Sequence, residues 1–317
     1  MSQKNGISRR RFAALSAAAA LSAGMGGSVR AAPGKALPAV YYFAEATPQS
    51  MTAAFDRLAA DAGIKPGAGR TGIKLHGDRV SENRALWEAL QRHVPGSNYV
   101  EGNYADTYEG TGRGSTEGNI AAIAAQGVPR KLIDILDRDK RYRTVPVHGG
   151  AMLKGVAVGS ALLDEYAAVA VTANFRIPTF AGYSGVVKNV GIGLAGAPGK
   201  TAVHVDFQKN AAFFARLADA SKGIWDAMGK RLLFINVLTG VSAEPLEGAP
   251  RRRPATGIVA SLDMTAADQA ALDLVYGLTP EKYDAYSEAV KVERGFLQLE
   301  YLERIGCGSR RYRLVKM

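Results

Sequence analysis

Ala167–His204 reads AAVAVTANFRIPTFAGYSGVVKNVGIGLAGAPGKTAVH. It opens on an apolar run, Ala167–Thr172, of the length of a buried strand, and ends that run on the polar residues Asn174 and Arg176. The part from Gly182 to His204 holds six glycines around Lys188, Asn189 and Lys200, and closes on one of the four histidines of the chain. Ordering so much glycine costs backbone entropy and supplies few side chains to a core, so the segment reads as backbone that approaches something closely. A buried strand running into such a loop is the unit from which open α/β sheets are built.

The same pattern recurs along the chain. Strands are predicted at Ala39–Phe43, Gly72–His76, Asn98–Glu101, Arg143–Val147, Ala167–Thr172, Leu232–Val237 and Gly257–Ser261. Helices are predicted between and after them, at Pro48–Ala62, Glu82–His93, Thr116–Ala125, Arg130–Asp137, Phe207–Met228, Ala266–Tyr276, Pro280–Val290 and Glu293–Ile305. Short apolar runs alternating with amphipathic segments predict an α/β protein with a mainly parallel sheet covered by helices, in one large domain or two packed lobes. Ligands of such sheets bind beyond the carboxyl ends of the strands. Polar residues gather at five predicted ends: Lys74, His76 and Asp78; Glu101, Asn103, Asp106 and Tyr108; Asn174 and Arg176; Asn236; and Ser261 with Asp263. Together they predict one shared cleft.

The first residues read as a targeting segment. Ser8-Arg9-Arg10-Arg11-Phe12 precedes a small, weakly apolar run to Met25, and Val29-Arg30-Ala31 supplies small residues for cleavage. That is the arrangement of a twin-arginine export signal over residues 1–31, which makes the export machinery a partner and the periplasm the destination. The remaining residues, 32–317, are expected to form a single α/β domain with no membrane span. Cleavage would remove five basic residues (Lys4, Arg9, Arg10, Arg11, Arg30) and no acid, taking the formal charge from +11 to +6. An excess of that size suits small anionic ligands and is modest for a nucleic-acid binder. The single cysteine, Cys307, excludes an internal disulfide and cannot hold an iron–sulfur cluster, so any cofactor stays open.

The glycine segment is neither a P-loop nor a dinucleotide fingerprint. Gly199-Lys200-Thr201 imitates the end of a P-loop, but the required upstream glycine position is Leu194. Glycines beside Lys188 and Lys200 instead suggest backbone N–H groups and point charges facing an anion. His76 and His204, each near an acid (Asp78, Asp206), are candidates for acid/base work or metal ligation. No nucleophile elbow is present, and Asp263 is also placed to cap the helix that follows it.

Three blocks carry a family resemblance. Ala181–Gly193, AGYSGVVKNVGIG, is followed by Gly199-Lys200 and His204; Thr256–Asp263, TGIVASLD, is followed by Ala267-Asp268-Gln269-Ala270 and Asp273; and Ile73–Asp78, IKLHGD, is followed by Tyr108, Gly110 and Arg113. The pattern resembles the exported and iron–sulfur-associated family DUF362. The resemblance implies a redox link and a ligand site drawn from Lys74, Asp78, Glu101, Asn103, Tyr108, Arg113, Lys188, Asn189, Lys200 and Asp263. It does not extend to the ferredoxin-like cysteines of many relatives, and Arg176 and Pro178 stand where a Lys and a His are common. Three functions fit: an exported redox-linked enzyme acting on a small anionic substrate with an external electron partner, a non-catalytic periplasmic binding protein, and a maturation partner of an exported redox protein.

Overall fold

The computed structural model describes residues 36–77, 79–104, 112–205, 208–247 and 251–317. Along them run strands β1 (Ala39–Phe43), β2 (Thr71–Lys74), β3 (Asn98–Glu101), β4 (Ile133–Ile135), β5 (Tyr142–Pro146), β6 (Gly155–Gly159), β7 (Ala168–Asn174), β8 (Arg176–Thr179), β9 (Gly182–Ser184), β10 (Leu232–Val241), β11 (Ala255–Ser261) and β12 (Arg313–Lys316). Eight of them form the central sheet in the order β12, β1, β11, β10, β7, β2, β3, β4. Every pairing is parallel except the two made by β11, which runs against the other seven. The sheet is therefore mainly parallel, and Leu37–Met317 form one compact unit.

Each strand feeds both faces, because side chains alternate across a pleated sheet. Along β10, Leu232 and Phe234 enter a core with helices Ala211–Met228, Met264–Tyr276 and Leu297–Arg304. Leu233, Ile235 and Val237 enter the opposite core, with Pro48–Ala62 and Arg84–His93. Local sequence sets the helix ends. Thr47 accepts from Ser50 N at 3.1 Å and Pro48 occupies the first turn, while Gly63 ends the helix at φ 72°.

Several predicted elements differ, among them the helices Pro280–Val290 and Glu293–Ile305, which are three shorter helices at Pro280–Asp284, Glu288–Arg294 and Leu297–Arg304. Arg130–Asp137 is not a helix: one 3-10 turn at Arg130–Leu132 leads into β4. Its alternation puts Ile133 and Ile135 into the core and leaves Asp134 to accept from the Tyr166 hydroxyl at 2.6 Å. Arg143–Val147 corresponds to β5, which pairs with β6 in a separate two-stranded sheet. No helix among the described residues is long and apolar enough to cross a membrane.

Candidate functional site

The parallel strands β2, β3 and β4 deliver Lys74, Glu101 and, two residues past β4, Asp137 to one edge of the sheet. Lys74 lies beside Val100 in register, so Glu101 stands one residue further out. Lys74 Nζ donates to Glu101 Oε1 at 2.8 Å, and the same oxygen accepts from Gly77 N at 2.9 Å. Arg113 comes close to the same glycine, Gly77. Its Nη1 donates to the Tyr104 hydroxyl at 2.6 Å, its Nε donates to Asn119 Oδ1 at 2.8 Å, and its charge lies 4.1 Å above the Tyr104 ring. Gly77 leaves no room between them, since a Cβ there would stand 2.7 Å from Glu101 Oε1 and closer still to Arg113 Nη2.

Lys200 joins from the other side, on helix Ala197–Val203. Its Nζ donates to the Ala195 carbonyl and lies over Gly102, where a Cβ would stand 2.6 Å from it. Only 2% of Lys200 is exposed. Burial drives its pKa down to about 8; Lys74 and Arg113 repel the charge further, while Asp137 and Glu101 partly restore it. Asn189 and Lys74 both meet Gly193, where a Cβ would fall 2.9 Å from Lys74 Nζ and 3.6 Å from Asn189 Oδ1. Asn103 follows Gly102 and donates its backbone N–H to Asp137 at 2.8 Å, with its buried Oδ1 making no hydrogen bond. Among the described residues, Lys74 and Arg113 on one side and Glu101 and Asp137 on the other are the charges that act on Lys200.

His76 borders the cluster through Gly77, and its Nε2 accepts from Arg176 Nη2 at 3.1 Å. His204 ends the helix that carries Lys200. Its Nδ1 lies 2.7 Å from the Lys200 carbonyl, which can only accept, so Nδ1 carries the proton and the neutral ring keeps Nε2 as its acceptor. Burial lowers the His204 pKa, and Lys188 lowers it further. Lys188 is half-buried at the end of the short helix Val186–Lys188. Among the described residues, no three His, Cys, Asp or Glu side chains converge to hold a metal ion.

Three expectations change. Asp263 is not part of the cluster: β11 runs backwards, so its carboxyl end lies at the amino edge of the parallel strands. There Asp263 accepts from Ala266 N at 2.9 Å and Ser309 N at 3.0 Å, as a helix cap. The glycine segment, second, spends most of its close approaches on its own protein. Gly191 abuts Leu217 and Ser221, and Gly199 abuts the Ala157 carbonyl. Third, the backbone N–H groups expected to face an anion already hold the protein's own acids. Asp268 accepts from Val186 N at 2.9 Å, Val187 N at 3.1 Å and Asn236 Nδ2 at 2.7 Å, and Asp137 accepts from Ala197 N at 3.0 Å. Burial raises Asp268 to about 6. Asp78 and Tyr108 lie outside the described residues.

Asp137 is the member that the sequence reading missed. It follows a strand end like the others, in Ile133-Asp134-Ile135-Leu136-Asp137, and was hidden by the helix predicted there.

Fold and site together define an α/β protein with a buried cluster of basic and acidic side chains at the carboxyl edge of its parallel strands. The chain belongs to the DUF362 family, described as a domain of unknown function, whose model matches residues 100–273. Comparison with curated proteins finds no match. Among solved structures, the chain is similar to the lactate racemase apoprotein from Thermoanaerobacterium thermosaccharolyticum, at 13% identity over 64% of this chain and 51% of that one, with a TM-score of 0.39. It is also similar to a protein from Thermotoga maritima, at 14% identity over 73% of this chain and 59% of that one, with a TM-score of 0.40. The chain thus spans little more than half the length of either structure, and likeness at this level says nothing of what it binds.

Proposed function

We propose that this DUF362 protein binds a small anion, a carboxylate or a phosphate, at the cluster formed by Lys74, Arg113 and Lys200, after export through the twin-arginine route. One observation carries the reading: Lys74, Arg113 and Lys200 are all buried near one another at the carboxyl edge of the parallel strands, beside Glu101 and Asp137. Burying several cations together is costly, and a bound anion would offset part of that cost. Because Asp268 and Asp137 occupy the helix N-termini of the glycine segment, the ligand is held by side chains. A redox role would draw on an external partner or an organic cofactor, since the chain's single thiol, Cys307, is buried and cannot ligate a cluster.

Thermal unfolding with phosphate, propionate and malonate tests the binding. The protein is stabilised by these anions at constant ionic strength, and Lys200→Met removes the effect; equal stabilisation of wild type and variant rejects the site. Sequencing the amino terminus of the periplasmic protein tests export, with cleavage after Ala31 expected. A visible chromophore or stoichiometric metal in that protein marks an enzyme, whereas a colourless, metal-free and anion-stabilised protein is a binder.

A further inference from the structure

We propose that the outer edge of β12 takes up an acidic, extended segment of a partner protein as a further strand of the central sheet. The backbone of the edge supplies the first argument. β12 ends the sheet order, and among the described residues only β1 pairs with it, in parallel. Arg313 N donates to the Pro38 carbonyl at 2.9 Å, and Met317 N to the Tyr42 carbonyl at 3.0 Å. Backbone groups alternate in direction along a strand, so those of Leu314 and Lys316 face outward, where an added strand finds its hydrogen bonds.

Charge selects the partner. Arg310–Lys316 holds four basic residues and no acid. Two of them are engaged, since Arg310 pairs with Asp284 at 2.6 Å and Arg311 with Glu281 at 3.0 Å. Arg313 and Lys316 are exposed and make no ion pair among the described residues. Antiparallel pairing with a second copy, centred on Leu314 and Val315, would set Arg313 against Lys316, and like charges directly opposite each other destabilise a sheet. An acidic strand meets the same two residues as cross-strand ion pairs.

The side-chain pattern narrows the segment. Val40 pairs with Leu314 and Tyr42 with Lys316, and alternation puts Leu314 and Lys316 on one face of the sheet and Arg313 on the other. Leu314 is 39% exposed. The segment that fits has acids three residues apart, for Arg313 and Lys316, and an apolar side chain between them for Leu314. Tyr42, the neighbour of Lys316, also lines an open cleft of about 430 Å³ with Leu274, Pro254, Arg252 and Arg253. Both arginines are exposed and make no ion pair among the described residues, so they are suited to a further acid of the same segment.

Fluorescence anisotropy of labelled peptides tests the proposal. The probe repeats Glu-Val-Thr-Glu, a control carries Lys in place of each Glu, and two further versions carry N-methyl groups on one or the other alternate set of amides. The glutamate peptide is expected to bind and the lysine peptide not to; one methylated version loses binding and the other keeps it. The double variant Arg313→Glu/Lys316→Glu should bind the glutamate peptide about tenfold more weakly at physiological ionic strength. Because the methylated pair is measured on wild type, the test stands whether or not the double variant folds. Equal binding of the two methylated peptides overturns strand addition, and equal affinity in the double variant overturns the assignment to β12. No binding of the glutamate peptide, or a wild-type dimer in sedimentation that the double variant abolishes, overturns the proposal as well, the dimer by giving the edge to a second copy.

Discussion

Replacing Glu101 by Gln tests the electrostatics of the cluster at its centre. Glu101 is 4% exposed and compensates Lys74 directly at 2.8 Å, besides drawing on Lys200. Removing one partner of a buried ion pair costs about 3–5 kcal/mol, because the other charge is left without compensation. Glutamine still offers Oε1 to Gly77 N and Lys74 Nζ, which places the expected loss near the lower end, about 3 kcal/mol. For a chain of this size that corresponds to a fall in Tm of roughly 6–12 °C. A bound anion would replace the lost charge, so phosphate or propionate should recover more stability in E101Q than in wild type, by up to about 2.7 kcal/mol at a hundredfold excess over Kd. Calorimetric unfolding with and without the anion measures both. A loss below about 1 kcal/mol, or anion recovery no larger than in wild type, would refute the reasoning.

Three further outcomes follow from the same geometry. Below pH 8 Lys200 is protonated in the folded and unfolded chain alike; between about 8 and its ordinary 10.5 only the unfolded chain keeps the proton. Stability should therefore rise across that window by about 3 kcal/mol, and denaturant titrations of Lys200→Met should lack the rise. Gly102→Ala places a Cβ 2.6 Å from Lys200 Nζ and 2.9 Å from the Ala195 carbonyl, so it should cost about 1–3 kcal/mol and abolish anion stabilisation; unchanged binding would mean that Lys200 is not the contact. Nitrogen NMR of His204 should show the Nδ1–H tautomer and a pKa below 6.5, with titration above that value counting against the placement.

Most of the sheet was legible because buried parallel strands leave short apolar runs between amphipathic helices. Ala39–Phe43 and Asn98–Glu101 keep their predicted limits. Lys74, Glu101, Asn103 and Lys200 were legible because strand-end polar residues and a lysine within glycines stand out locally. The direction of β11 was not: the short run Gly257–Ala260 reads alike in either orientation, so Asp263 was assigned to the wrong edge. Nor could the sequence show that Gly191 closes on helix Ala211–Met228, or that Asp268 and Asp137 fill the backbone sites expected for a ligand. Those contacts join residues far apart in the chain, and local pattern carries no record of them.

The central claim is that buried Lys200 is the charge a small anion neutralises. Isothermal titration of wild type and Lys200→Met with propionate and phosphate at pH 7 tests it directly. Losing one charged contact should weaken binding about ten- to hundredfold. Equal affinity in the two proteins, or no binding to wild type, would contradict it.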